Sequence, residues 1–265
     1  MREPHRLRTM ITLPPPPRAG KDTKARAQAR AALLATLWTR EQRRRLPDQR
    51  ELAAALSACD PRDVWWVCEA SSAGPVYLLP TRQWIAALAA WLDEVKARSV
   101  LEVAAGDGFL SRCLQKARPQ LRVIATDNHS WTKASARSSP QDAHEFRGVV
   151  FAGIRPDDVE KIGAVAAVKR EQPDVVIVSW APPGTLVERV IRAPSRLVLD
   201  IGVDGDVCGN GPKTWRFFKE LLDGPLEARA LCRLDAQPQR ERHTRVTVYY
   251  GRAHALHGID KDATC

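Results

Sequence analysis

Apolar residues change period along this chain, and each change marks an element. Residues 99–103 (Ser-Val-Leu-Glu-Val) and 121–127 (Leu-Arg-Val-Ile-Ala-Thr-Asp) are short runs of aliphatic and β-branched side chains bounded by polar residues, which predicts strands. Residues 173–180 and 196–202 hold the near-continuous apolar runs Val175-Val-Ile-Val178 and Leu197-Val-Leu199, expected of strands covered on both faces. Trp84, Leu88, Trp91, Leu92 and Val95 instead recur at helical spacing over 82–97, behind Thr81, a residue type that caps helix starts. Helices are also read over 157–170 and 214–222, a weak third strand over 149–152, and an alternating strand pair over 227–234 and 245–250. Strands that alternate with helices in this way predict an α/β protein: a doubly wound seven-stranded sheet ending in a C-terminal antiparallel hairpin.

Upstream of this pattern the chain changes character. Pro14 to Pro17 put residues 1–20 in an extended leader, because proline fixes φ and lacks an N–H. Residues 21–58 are rich in Ala, Leu, Arg and Gln, with Leu33, Leu34, Leu37 and Trp38 at helical spacing, which predicts one or two amphipathic helices. Residues 63–70 read as a short strand or the edge of this region, with Trp65 and Trp66 as packing residues. Three units follow: a leader over 1–20, a helical accessory or lid region over 21–80, and the sheet domain over 81–265.

The chemistry concentrates after the first strand. Ala104-Ala-Gly106-Asp-Gly108 is a turn in which glycines can take φ > 0 and let backbone N–H groups approach a ligand. Asp127 ends the next strand at the spacing that ribose recognition on a doubly wound sheet requires. A dinucleotide fingerprint would need a third glycine where Ser111 stands, and it has no role for Glu102.

Together, Val100-Leu-Glu102-Val-Ala104-Ala-Gly106-Asp-Gly108 and Asp127 resemble the class I S-adenosylmethionine-dependent methyltransferases, with Ala104 where that family usually has its first glycine. The resemblance implies a Rossmann-like sheet and S-adenosylmethionine as cofactor. It implies that Gly106 and Gly108 line the methionine end of the cofactor, with Ala104 and Phe109 also at the cofactor, and that Glu102 orients either the turn or the cofactor amine. Asp127 would hold the ribose hydroxyls and Asn128 the ribose or adenine. Tyr77 and Thr81 match the segment that folds over the cofactor in many relatives, Tyr77 serving there or as a core residue.

Ser179-Trp180-Ala-Pro182-Pro183-Gly184 resembles the family's fourth motif, in which Asn or Asp, two prolines and an aromatic residue grip a substrate amine. Here Ser179 lies three residues before Pro182, and glycine follows the prolines. Ser179, Trp180 and Pro182 are the expected residues beside the transferred methyl, with Ser179 also at the cofactor. His129 is the expected base at the same edge if one is used. Trp131 would stack on a planar group or anchor a loop, and Asp204 and Asp206 would contact substrate or form turns.

Charge and cysteines narrow the function classes. The 41 Lys and Arg against 31 Asp and Glu give a net charge of +10, with much of the excess in the first 50 residues. A solvated basic helix is favoured over a nucleic-acid arm there, since no aromatic residues interleave Arg43-Arg-Arg45 to stack bases. The six cysteines show no zinc spacing and suit a reduced, cytoplasmic chain. His254 and His257 lack a third ligand, and Trp215 stands where a calcium loop across Asp204 and Asn210 would need an acid, so no metal is expected. No run spans a membrane and no secretory signal is read. The expected function is methyl transfer to an N or O nucleophile of a small molecule or protein side chain. The alternatives are a cofactor-free scaffold and an RNA-binding methyltransferase that uses the basic N-terminal helices.

Overall fold

A computed structural model describes residues 23–41, 43–69, 76–128, 158–181, 184–202, 214, 217–228, 231 and 244–254. Three helices come first: α1 (Lys24–Leu37), α2 (Gln49–Ala58) and α3 (Pro61–Glu69). Each start carries its local reason. Thr23 accepts from the Arg26 amide, Asp48 and Glu51 form a capping box on α2, and Asp60 accepts from the Arg62 amide behind Pro61. That last cap makes 61–69 a helix, which decides between the two readings of 63–70, a short strand or the edge of the helical region: the Asp-Pro start outweighs the β-formers Val and Trp. Helix α4 (Arg82–Glu94) is capped as expected by Thr81 and ends earlier than Ala97.

The sheet holds β1 (Ser99–Val103), β2 (Arg122–Asp127), β3 (Val159–Lys161), β4 (Val175–Ser179), β5 (Leu197–Gly202), β6 (Lys219–Leu222) and β7 (Arg245–Tyr250). The helices between them are α5 (Phe109–Ala117), α6 (Ala164–Glu171) and α7 (Leu186–Ile191). The order is β3-β2-β1-β4-β5-β7-β6, parallel from β3 to β5 and antiparallel at β7 and β6. This is the α/β, Rossmann-like, seven-stranded sheet with antiparallel C-terminal strands that the sequence pattern predicts, with helical elements ahead of it.

Strand period 2 explains the layering. Val100, Val175, Ile177, Leu197, Leu199 and Ile201 point to one face and pack with Leu88, Leu92, Leu110 and Leu114 and with Leu33, Leu37, Leu52 and Val64 of the N-terminal helices. Leu101, Val103, Val176, Val178 and Val198 point to the other face and pack under Ala167, Val168, Val187 and Val190 of α6 and α7. No helix among the described residues is long and apolar enough to cross a membrane.

Three expectations are corrected. The third described strand is 159–161, inside the span read as a helix over 157–170, and the helix starts only after Gly163. Pairing of Val159 with Ala125 on the open side of β2 takes this segment into the sheet. Residues 149–152 lie outside the described residues. The span 214–222 is not a helix, since 219–222 forms β6 along β7, Lys219 opposite Tyr249 and Leu222 opposite Val246. The hairpin partner of β7 is therefore β6 and not 227–234, whose described residues follow a 3-10 turn over Gly224–Leu226. An unfilled ladder on β7 decides this, because its backbone groups need partners whatever the local propensity.

Candidate functional site

The carboxyl ends of β1, β2 and β4 converge on one edge, the side where open α/β sheets bind ligands. After β1 the backbone turns through three left-handed residues, Ala104 (φ +54°), Gly106 (+56°) and Gly108 (+67°). Ala104 holds this conformation despite its Cβ, a strain of about 1 kcal/mol that the surrounding bonds must offset. Those bonds are present. The Ala105 amide donates to the Thr126 carbonyl at 3.0 Å, the Gly106 amide to Asp127 Oδ2 at 3.1 Å, and the Gly108 amide to the Ala105 carbonyl at 2.9 Å.

The two glycines have different reasons to be glycine. A Cβ on Gly108 would stand 2.6 Å from Val159 Cγ2, so β3 closes over the turn there. Nothing among the described residues lies within 4 Å of a Cβ on Gly106, which faces open space beside the buried Asp127.

Glu102 is buried and points toward α5, where its Oε2 accepts from the Ser111 amide at 3.0 Å and the Ser111 hydroxyl at 2.6 Å. It caps the helix from within a strand, so of the two roles implied for it, holding the turn is the one its hydrogen bonds serve. Burial pushes its carboxyl up to about 7 against the pull of the Ser111 bonds. Ser111 carried no signal of this partnership, because a strand-to-helix bond nine residues apart has no periodic signature.

Arg44 was also missed. It lies past α1 in a short turn where Trp38 pairs with Arg44, and its guanidinium donates to Asp107 Oδ2 at 3.3 Å and the Leu78 carbonyl at 3.1 Å. The same group stacks 4.1 Å from the centre of the Phe109 ring. Asp107 meanwhile accepts from the Phe109 amide at 3.0 Å. The N-terminal region thus braces the glycine turn directly, and the only sequence cue was a run of arginines.

At the end of β4, Trp180 takes φ +52°, and its amide donates to the Ile201 carbonyl at 2.8 Å. Its indole stacks on Tyr77 with ring centres 5.5 Å apart and planes 16° apart. Trp180 is buried, yet its Nε1–H has no acceptor among the described residues. An orphan buried donor costs about 1–3 kcal/mol, and native proteins keep few of them.

The structure therefore brings Tyr77, Glu102, Ala104, Gly106, Gly108, Phe109, Asp127, Ser179 and Trp180 to the sheet's carboxyl edge or the elements beside it, with Asn128 exposed just past β2. Thr81 is fully buried and its hydroxyl accepts from the Trp84 amide, so its hydrogen bond goes to the helix cap. His129, Trp131, Pro182, Asp204 and Asp206 lie outside the described residues. No cluster of metal-ligating side chains occurs among the described residues.

No protein-family model matches the sequence, and no curated protein matches it. Among solved structures the chain is similar to the methyltransferase domain of bacterial CtHen1-C, at 11% identity over 64% of this chain and 97% of that one, with a TM-score of 0.37. It is also similar to the 23S rRNA methyltransferase ErmE, at 19% identity over 66% and 70% of the two chains, with a TM-score of 0.38. An O-methyltransferase family protein from Burkholderia thailandensis shares 13% identity over 77% and 63%, with a TM-score of 0.37.

Proposed function

We propose that this chain, whose sheet has the class I methyltransferase order and whose fold is of that kind, is an S-adenosylmethionine-dependent methyltransferase acting at the carboxyl edge of β1, β2 and β4. One observation carries the reading. The Gly106 amide meets the Asp127 carboxylate at 3.1 Å while the space in front of Gly106 is open, so the two distant halves of a nucleoside cradle form one wall.

In this reading the turn from Ala104 to Gly108 receives the methionine end, Asp127 holds the ribose hydroxyls, and Asn128 stands by the adenine. When bound, the cofactor supplies an electrophilic methyl on a sulfonium, whose transfer depends mainly on positioning an in-line nucleophile. Ser179 and Trp180 border that position, and the Trp180 Nε1–H is a donor available to orient an acceptor substrate. The acceptor is an N or O nucleophile of a small molecule or protein side chain. The roles of His129 as base and Pro182 as a substrate contact rest on the sequence. The assigned compartment is the cytoplasm, where scattered cysteines stay reduced.

Titration calorimetry with S-adenosylmethionine and S-adenosylhomocysteine tests this. Stoichiometric binding is expected, with a stabilisation of about 2.7 kcal/mol at a hundredfold excess over Kd. Asp127→Ala should weaken binding. Gly106→Ala should fold, since its Cβ meets no atom of the described residues and Ala104 already tolerates the same φ, yet should bind less well. Failure of the folded wild-type chain to bind either compound rejects the reading.

A further inference from the structure

The opposite edge of the sheet carries a second cavity with different chemistry. It has a volume of about 580 Å³, within the roughly 300–1,000 Å³ range of small-molecule sites. Val165, Ala193, Pro194 and Ala253 line it together with the side chains of Lys169, Arg189, Arg192 and Arg252. Ala193 and Pro194 precede β5, while Arg252 follows β7, whose Tyr250 pairs with Leu197 at the amino end of β5. Most of the lining therefore lies toward the amino edge, away from the strand ends that carry the glycine turn.

Its walls are fixed by backbone bonds. The Gly251 amide donates to the Arg196 carbonyl at 2.9 Å and the Ala253 amide to the Ser195 carbonyl at 3.0 Å, while α6 and α7 share one buried apolar cluster beneath. The charge on it is largely uncompensated. Arg192 pairs with Glu188 and lies over the Phe217 ring, but Lys169, Arg189 and Arg252 make no ion pair among the described residues. Carbonyl ends of helices favour cations, which would account for Lys169 near the end of α6 and Arg189 near that of α7. Arg252 belongs to neither helix, and like charges lining one cavity repel unless an anion sits among them.

We propose that this cleft is a second ligand site, distinct from the carboxyl edge, for a phosphate-bearing molecule of about nucleotide size: an apolar or ring portion lies on Val165, Ala193 and Pro194, and phosphate oxygens are held by Lys169, Arg189 and Arg252. Guanidinium groups grip phosphate in a fork that matches two oxygens at once. The phosphate can come from a free nucleotide or from the backbone of a single-stranded nucleic acid.

The test measures binding of uridine 5′-diphosphate, uridine and a 12-nucleotide single-stranded RNA, each with saturating S-adenosylhomocysteine so that the carboxyl edge does not contribute. The wild-type chain is compared with the triple variant Lys169→Gln, Arg189→Gln, Arg252→Gln, whose substitutions are all at exposed positions and whose folding is checked by thermal melt. Tighter binding of uridine 5′-diphosphate than uridine, weakened at least tenfold in the variant, supports the site with a free nucleotide as its source. Binding of the RNA alone, with a log–log salt slope that becomes shallower by about 2 in the variant, supports it with a nucleic-acid backbone as the source. Absence of binding by both phosphate probes, or equal binding by wild type and variant, overturns it. Either result is independent of whether methyl transfer occurs.

Discussion

The two edges of the sheet use the same unusual backbone conformation for different ends. At the amino edge, Lys96 (φ +54°) and Gln172 (φ +44°) follow α4 and α6, where a left-handed residue is an ordinary way to end a helix. At the carboxyl edge, Ala104 and Trp180 take the same conformation directly after strands β1 and β4, where no helix end calls for it. Buried carboxylates divide the same way: Glu102 and Asp127 lie at the carboxyl edge, whereas the amino-edge cleft is lined by exposed cations and apolar side chains. Strain that chain connectivity does not require, next to buried carboxylates, is what makes the carboxyl edge the candidate site. Mutations that relax or overload one edge at a time can break this contrast.

The largest effect is expected at Gly108. Gly108→Ala adds a Cβ 2.6 Å from Val159 at φ +67° and should lower stability by about 2–5 kcal/mol in urea unfolding. Gly106→Ala, in open space, should lower it by about 1 kcal/mol. Equal losses at the two glycines would mean that β3 does not close on the turn.

Glu102 should set a pH dependence. Its folded-state value of about 7 lies above the ordinary 4.5, so the folded chain binds the proton more tightly. Its contribution is complete below about pH 4.5 and is lost as pH rises through 7, a fall of a few kcal/mol between pH 5 and pH 8. Glu102→Gln keeps an oxygen for Ser111 and removes the ionisation, so unfolding midpoints of the variant should lose this slope. A slope unchanged from wild type would place its origin elsewhere.

Arg44→Leu should cost about 1–2 kcal/mol, because it removes a half-buried ion pair with Asp107 and the stack on Phe109. In the methyltransferase reading it should also weaken S-adenosylhomocysteine binding, measured by calorimetry, since the turn loses its brace. Unaltered affinity would make the N-terminal region a bystander to the site.

The smallest effects test the backbone contrast itself. Ala104→Gly and Lys96→Gly should each raise the urea midpoint by the equivalent of up to about 1 kcal/mol, through relief at positive φ. In the methyltransferase reading only Ala104→Gly should also change S-adenosylhomocysteine affinity. A change in affinity from Lys96→Gly would erase the distinction between the edges.

Legibility followed sequence separation. Strands β1, β2, β4, β5 and β7 and the cap at Thr81 were readable because their signals are local: apolar runs of strand length and a hydroxyl before a helical period. The glycine turn and Asp127 were readable as two motifs at a set spacing. Strand β6 was not, because Lys-Glu-Leu-Leu has no strand bias of its own and becomes a strand by supplying the partner that the edge of β7 lacks. Strand β3, inside a span read as a helix, was not readable for the same reason, its three residues being drawn onto β2.

The sequence by itself determined the layer order, the parallel interior and the position of the turn, since burial on both faces demands apolar runs and sharp turns demand glycine. Only the tertiary structure decided that Glu102 serves Ser111, that Arg44 braces Asp107 from 63 residues away, and that Lys169, Arg189 and Arg252 face one cavity. Charged side chains carry no periodic signature of their partners. Their pairings follow from where the packed apolar layers leave them, and that is fixed only once the chain has folded.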